Sequence, residues 1–177
     1  MGADRAPGSR QFSALHATRT GSGSGRPAAG VTTLSFDIAG LELFLPLIRG
    51  ARLILVPWHT TADGQALAQI IERQAVTVMQ ATPATWRVLL EAGWPGREGL
   101  KILCGGEPLP KDLARQLLPR CAELWNMYGP TETTIWSTCC RVMEAENIHV
   151  GRPINNTEIY ILDEQLQPAP VGVAGSC

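Results

Sequence analysis

The sequence predicts an α/β fold: a parallel sheet flanked by helices, followed by a β-rich end. Three observations predict it. Short apolar runs alternate with amphipathic segments from Val31 to Trp125, as expected of buried strands covered by helices. After Glu132 the helical spacing fades and strand-like stretches take over. Apolar residues make up 45% and charged residues 18% of the 177, an ordinary globular balance in a chain long enough to bury a sizeable core.

The elements follow in order. Leu41 to Ile48 is apolar and reads as a buried helix, kinked or shortened by Pro46. Arg52 to Val56 is a short strand closed by Pro57. Gly64 to Arg73 is a helix with Leu67, Ile70 and Ile71 on one face and Asp63 as its cap. Val76 to Met79 is the next strand, and Pro83 then opens a helix carrying Trp86, Leu89 and Leu90, with Gly93 beyond its end. Leu100 to Cys104 is a strand ending in Gly105-Gly106. Pro110 opens a helix through Leu113, Leu117 and Leu118, stopped by Pro119, and Ala122 to Trp125 is a further strand. Thr133 to Val142 and Glu158 to Leu162 read as strands of the β-rich end, the second leading into a turn at Asp163-Glu164-Gln165. There is no internal repeat.

Residues 1–30 have a different texture. They are rich in Gly, Ala, Ser and Arg, carry four Arg against one Asp, and hold almost no large apolar side chains. They are expected to be a non-homologous, disordered segment, with residues 31–177 forming the domain. They contain no apolar stretch of the kind a secretory signal needs. No run approaches the ~20 apolar residues that span a bilayer, and a formal net charge of −1 argues against nucleic-acid binding by bulk electrostatics. The five cysteines (Cys104, Cys121, Cys139, Cys140 and Cys177) have no regular spacing. They read as reduced thiols in a cytoplasmic protein rather than as a disulfide framework or a zinc site. No membrane or nucleic-acid partner is expected.

Open α/β sheets bind ligands beyond the carboxyl ends of their strands. Three segments fall there: Phe36-Asp37 after the run Val31 to Ser35, Cys104-Gly105-Gly106-Glu107-Pro108, and Asn126-Met127-Tyr128-Gly129-Pro130-Thr131-Glu132. Each alone could be an ordinary turn or helix cap. Together they describe a cleft with two glycine-rich loops for close backbone approach, an aromatic for stacking and a hydroxyl and an acid for a phosphate–Mg²⁺ group. A separate, buried Asp37 would meet a cation. This suggests a nucleotide and a cationic small molecule without naming a reaction.

The segment N-M-Y-G-P-T-E-T-T-I-W resembles a signature of adenylate-forming enzymes, specifically the amino-acid adenylation domains of nonribosomal peptide synthetases. T-T-L-S-F-D-I-A-G-L-E-L-F, Q-A-T-P-A-T-W, I-L-C-G-G-E-P-L-P and H-V-G-R-P-I-N-N-T-E-I-Y-I-L-D resemble further blocks of that family in the same order. The resemblance, from Val31 to about Gly175, implies part of the large N-terminal subdomain of an adenylate-forming enzyme. It implies that Tyr128 stacks on adenine with Asn126 and Gly129 beside it, that Thr131 contacts the α-phosphate, and that Glu132 holds Mg²⁺. Thr131 and Glu132 would be the catalytic pair. Gly105, Gly106, Glu107 and Pro108 would line the nucleotide and substrate walls. Asp37 would pair with the substrate's α-ammonium, which leaves the carboxylate free to react. The implied reaction uses ATP to form an aminoacyl-adenylate, then passes the acyl group to phosphopantetheine on a carrier domain. Peptidyl carrier and condensation domains of a parent synthetase are the implied partners. No protein nucleophile is required, so Cys104 is not expected to be catalytic.

By the same resemblance the amino-acid cavity is lined by Asp37, Ile38, Leu41, Gln80, Leu103, Gly105, Met127, Ile135 and Trp136. The set D-I-L-Q-L-G-M-I-W is similar to the pattern associated with glycine, with Met127 a mild departure. Bulk at Trp136 and Met127, and no charge beyond Asp37, agree with a substrate that lacks a side chain. An acyl-CoA or aryl-acid ligase is the alternative within the superfamily, against which Asp37 speaks, because a substrate without an amine leaves it no partner. A non-catalytic remnant is the alternative outside it. Residues 20–30, T-G-S-G-S-G-R-P-A-A-G, depart from the family's phosphate loop: Ala28 stands where lysine is expected, and Phe36 follows too closely. A ribose-binding Asp and a lid with a catalytic lysine are not found either. The expectation is a partial adenylation domain with little activity alone.

Overall fold

The computed structural model describes residues 26–173. Within them a seven-stranded sheet has the order β2-β1-β3-β4-β5-β6-β7. The strands are β1 (Ala28–Gly30), β2 (Leu53–Leu55), β3 (Val78–Ala81), β4 (Arg97–Gly105), β5 (Cys121–Tyr128), β6 (Thr138–Val142) and β7 (Arg152–Pro153). The pairings from β2 through β5 are parallel, and those of β6 with β5 and with β7 are antiparallel. The helices are α1 (Ala39–Ile48), α2 (Trp58–Thr61), α3 (Gly64–Arg73), α4 (Pro83–Glu91) and α5 (Lys111–Leu117). This is the expected parallel sheet with a β-rich end. No helix among the described residues is long and apolar enough to cross a membrane.

Strand side chains alternate between faces, and the register turns that alternation into two separate cores. Met79, Ala81, Ile102, Cys104, Leu124 and Val142 point to one face. There they meet Leu67 and Ile71 of α3, Trp86 and Leu89 of α4, and Leu113 and Leu117 of α5. Leu103 and Met127 point the other way, against Ile38, Leu41 and Leu45 at and within α1. The first core is the larger and holds the domain together. The second lies under the functional segments.

Local signals account for the helices. Asp63 caps α3 by accepting from the Gln65 and Ala66 N–H groups at 3.0 and 3.1 Å. Pro83 stands at the first turn of α4, where its missing N–H costs nothing. Pro46 does not break α1, which runs two residues further. A left-handed Gly50 then closes it, with Gly50 N–H donating to Leu47 O and Ala51 N–H to Pro46 O, the pairing that satisfies a helix's last carbonyls.

The structure differs from the sequence expectations in several places. The strand before Asp37 is Ala28–Gly30, and Val31 to Ser35 is loop. Among the described residues the first strand therefore lies inside the segment set apart as foreign, upstream of the boundary at residue 31; residues 1–25, and with them most of the loop at 20–30, lie outside the described residues. Ala28-Ala29-Gly30 has no apolar bulk to announce a strand, but it sits between β2 and β3 and is held by both ladders. Glu158 to Leu162 forms no strand. Its Ile159, Tyr160 and Ile161 are exposed, and its pairing is one isolated bridge, Leu162 to Pro168. The turn expected there is present: Asp163 Oδ1 accepts from the Gln165 and Gln167 N–H groups. Lastly, α2 and β7 have only four and two residues and left no periodic trace.

Gly64 packs α3 against α4 so closely that a Cβ there would lie 2.3 Å from Val88 O. Gly64→Ala is expected to destabilise the chain by about 1–3 kcal/mol through this clash, and Asp63→Ala by about 1 kcal/mol through loss of the cap. Urea unfolding of the two variants measures both.

Candidate functional site

The carboxyl ends of the parallel strands gather the segments singled out from the sequence. The loop 31–38 follows β1, Thr82 follows β3, Gly106 to Pro108 follow β4, and Gly129 to Ser137 follow β5. Gly106, with φ +83°, brings its backbone beside Thr82, Phe36 and Ile38; a Cβ there would stand 3.5 to 3.9 Å from their side chains. Three loops from distant parts of the chain thus share one rim.

Below the rim lies the second core. Ile38, Leu41, Leu103, Met127, Ile135 and Trp136 are all buried in it. The register explains why. Gln80 is opposite Leu103, and Gly105 is opposite Met127, so these four residues of three neighbouring strands face the same side. The Trp136 ring lies on Gly105: a Cβ at position 105 would be 2.3 Å from Trp136 Cη2 and 2.7 Å from Met127 O. Eight of the nine residues expected to line one cavity are therefore packed together or hydrogen-bonded to one another. The ninth, Asp37, stands at the entrance to α1 and is half-buried rather than buried. Among the described residues its carboxylate has no hydrogen-bond or ion-pair partner.

A polar thread runs through this apolar cluster. Trp136 Nε1–H donates to Gln80 Oε1 at 2.8 Å. Gln80 Nε2 donates to Ile38 O at 2.8 Å and to Glu42 Oε1 at 3.0 Å. Glu42 Oε2 accepts from the Val31 and Thr32 N–H groups at 2.6 and 2.9 Å, and Oε1 also accepts from the Thr32 hydroxyl. Glu42 is 6% exposed. Its burial raises its pKa, opposed by the hydrogen bonds from Thr32, Gln80 and Val31. The sequence reading passed over Glu42, although a single acid on an apolar helix, L-E-L-F-L, was a signal for it.

The segment after β5 is arranged differently. Asn126 is buried and donates through Nδ2 to His149 O at 3.0 Å. Tyr128, the last residue of β5, is 46% exposed at the rim. Gly129 is required by packing, since a Cβ would stand 2.5 Å from Ile135 O. Thr131–Thr133 form a single 3₁₀ turn, so the strand expected from Thr133 begins only at Thr138. Thr131 and Glu132 project from this turn into solvent. Thr134 and Ile135 follow with φ of +65° and +70°, a conformation β-branched residues rarely adopt. Trp136 N–H bonds to Thr134 O at 2.9 Å across this tight turn. Strain of this kind costs about 1–3 kcal/mol per residue, and here it swings Trp136 back under the rim.

Thr131 and Glu132 offer a hydroxyl and a carboxylate, hard oxygen donors of the type Mg²⁺ takes. Among the described residues no three His, Cys, Asp or Glu side chains cluster as a metal cage. One carboxylate completed by ligand phosphates is the arrangement these residues fit. Cys104 is buried on the opposite face, and burial pushes its thiol up to about 12, which leaves it no nucleophilic character near neutral pH.

Comparisons with known proteins identify the family and the fold. The AMP-binding enzyme family matches residues 10–176, a span that crosses the boundary expected at residue 31. A dimodular nonribosomal peptide synthase of Bacillus subtilis is 46% identical over 147 residues, which are 82% of this chain and 6% of that protein. A PKS-NRPS hybrid synthetase of Aspergillus niger is 42% identical over 145 residues, 81% of this chain and 8% of that protein. The chain thus spans less than a tenth of the length of these relatives. Among solved structures, holo-AB3403, a four-domain nonribosomal peptide synthetase bound to AMP and glycine, superposes with a TM-score of 0.81 at 44% identity, over 86% of this chain and 12% of that one. The N-terminal subdomain of Klebsiella oxytoca NpsA shares the fold, with a TM-score of 0.72 at 22% identity over 86% of this chain and 41% of that one. The chain belongs to the AMP-binding enzyme family and has the fold of part of that family's N-terminal subdomain.

Proposed function

We propose that these residues are the amino-acid cavity and part of the nucleotide site of a nonribosomal peptide synthetase adenylation domain that activates glycine. The observation that carries the reading is the packing of Trp136 onto Gly105. With Met127 beside it, the indole occupies the space into which a substrate side chain would extend. Among the nine residues expected to line the cavity, a free amino acid meets one charged side chain, that of Asp37, whose carboxylate has no partner among the described residues. Its ammonium binds there, which leaves its carboxylate directed toward Tyr128, Thr131 and Glu132.

The reaction is carboxylate attack on the α-phosphorus of ATP. A new O–P bond forms, the bond from the α-phosphorus to the bridging oxygen breaks, and pyrophosphate leaves. Tyr128 offers a face for adenine, with Asn126 and Gly129 shaping the backbone beside it, and Gly106, Glu107 and Pro108 form the facing wall. Thr131 holds the α-phosphate and Glu132 holds Mg²⁺, which when bound offsets phosphate charge. The acyl group then passes to the phosphopantetheine thiol of a carrier domain, with a condensation domain as the next partner. The glycine-bound relative supports this substrate. The acyl- or aryl-acid alternative gives the Asp37 carboxylate nothing to neutralise.

The test is a chimera: the four-domain relative with residues 26–173 of this chain in place of its own, assayed by amino-acid-dependent pyrophosphate exchange. Glycine is expected to support exchange best, with alanine about 10- to 200-fold poorer. Exchange with aryl or fatty acids and not with glycine overturns the reading. In the same chimera Asp37→Asn is expected to lower glycine-dependent exchange about a hundredfold, as loss of one partner of a desolvated charge pair does; unchanged turnover would sink the ammonium assignment. Gly105→Ala, whose Cβ collides with the Trp136 ring, is expected to abolish glycine exchange. Cys104→Ala is expected to leave the rate within about twofold, since a thiol this strongly protonated takes no part in the transfer.

A further inference from the structure

The thread from Trp136 to Glu42 has a direction that its chemistry dictates. An indole N–H can only donate, so Gln80 must present its oxygen to Trp136. The Gln80 NH₂ is then committed to acceptors, and it finds Ile38 O and Glu42 Oε1. All of the hydrogen-bond partners of Glu42 are donors: the Val31 and Thr32 N–H groups, the Thr32 hydroxyl and the Gln80 amide. Only a group that accepts at both oxygens satisfies them. Gln80 therefore has no N–H left over for a ligand, although its register places it on the cavity face.

We propose that Glu42 is a positioning residue for substrate choice: through Gln80 it locks the Trp136 indole over Gly105 and thereby closes the cavity to any side chain. This rests on the reading of the cluster as the amino-acid cavity. Glu42 itself touches no substrate. It joins four separate parts of the site, namely the loop after β1, helix α1, strand β3 and the turn after β5. Trp136 sits on a strained turn, so the lock is what keeps the ring from relaxing away from Gly105. Glutamine at position 42 is nearly the same size but places an NH₂ against either the Gln80 amide or the two backbone N–H groups. Releasing Gln80 frees the ring to move and makes room for a methyl group.

Two readouts test this. In the full chain, the indole N–H signals of its five tryptophans are recorded by ¹⁵N NMR, with Trp136→Phe assigning the one of interest. Glu42→Gln is expected to shift the Trp136 signal and speed its exchange with solvent while the Trp86 and Trp94 signals of the other core stay in place. In the chimera, Glu42→Gln is expected to lower the preference for glycine over alanine about tenfold, through a lower KM for alanine, with kcat for glycine within about twofold. The reciprocal pair Glu42→Gln with Gln80→Glu restores donor against acceptor between the two side chains and is expected to recover part of both signals; Ile38 O then loses its donor and the Thr32 hydroxyl its acceptor. A folded Glu42→Gln with an unmoved Trp136 signal, or with the parent's selectivity, overturns the proposal. So does a Glu42→Gln chain that unfolds and is not restored by the reciprocal pair. A parent chimera without preference for glycine defeats the substrate reading instead, and leaves the indole test of the lock standing.

Discussion

A buried carboxylate organises the candidate site. Burying Glu42 is unfavourable in itself, as the rise in its pKa records, and in an apolar cluster a charge without partners would cost several kcal/mol. Its position is tolerable because four donors converge on it from two other segments, the loop after β1 and strand β3. Those bonds, together with the one from Trp136 to Gln80, decide where the segments go. The loop after β1 is pulled against α1, α1 is tied to β3, and β3 is tied to the turn that carries Trp136. A leucine at position 42 would suit the apolar face of α1 better, but it would leave one Gln80 N–H, the Thr32 hydroxyl and two backbone N–H groups without their acceptor.

The sheet does the rest by simple alternation. One face carries the large core and three covering helices, which supply most of the stability. The other carries Gln80, Leu103, Gly105 and Met127 in register, under a single helix, α1. Stability and recognition are thus divided between the two sides. Cys104 illustrates the division: one residue before Gly105, it points into the stabilising core and is chemically silent.

Much of this was legible in the sequence. Alternating strands and helices, Asp63 as a cap, Pro83 at a helix start and Gly105-Gly106 at a strand end all act through local chemistry, and local chemistry is what a sequence displays. The motifs at 105 and 128 fall at strand ends as expected, whereas Asp37 lies beyond a loop that follows β1. The differences share one cause. Ala28–Gly30 is a strand because its neighbours pair with it, whereas Glu158 to Leu162 has strand-like residues and no neighbouring strand to bond. Whether β-prone residues form a strand depends on partners that are not adjacent in the chain. Asp37 likewise read as buried beside Phe36 and Ile38, yet the rim leaves it half-exposed.

The amino-acid sequence by itself determined the fold class, the family and most of the residues packed in the second core, because periodicity, turn chemistry and ordered motifs are properties of the linear chain. Only the tertiary structure decided how those residues bond to one another. Gln80 read as a cavity wall and proved to be a link between Trp136 and Glu42, and Glu42 drew no notice. Hydrogen bonds among residues 32, 42, 80 and 136 exist only once four segments are brought within 3 Å of each other, and nothing along the chain records that distance.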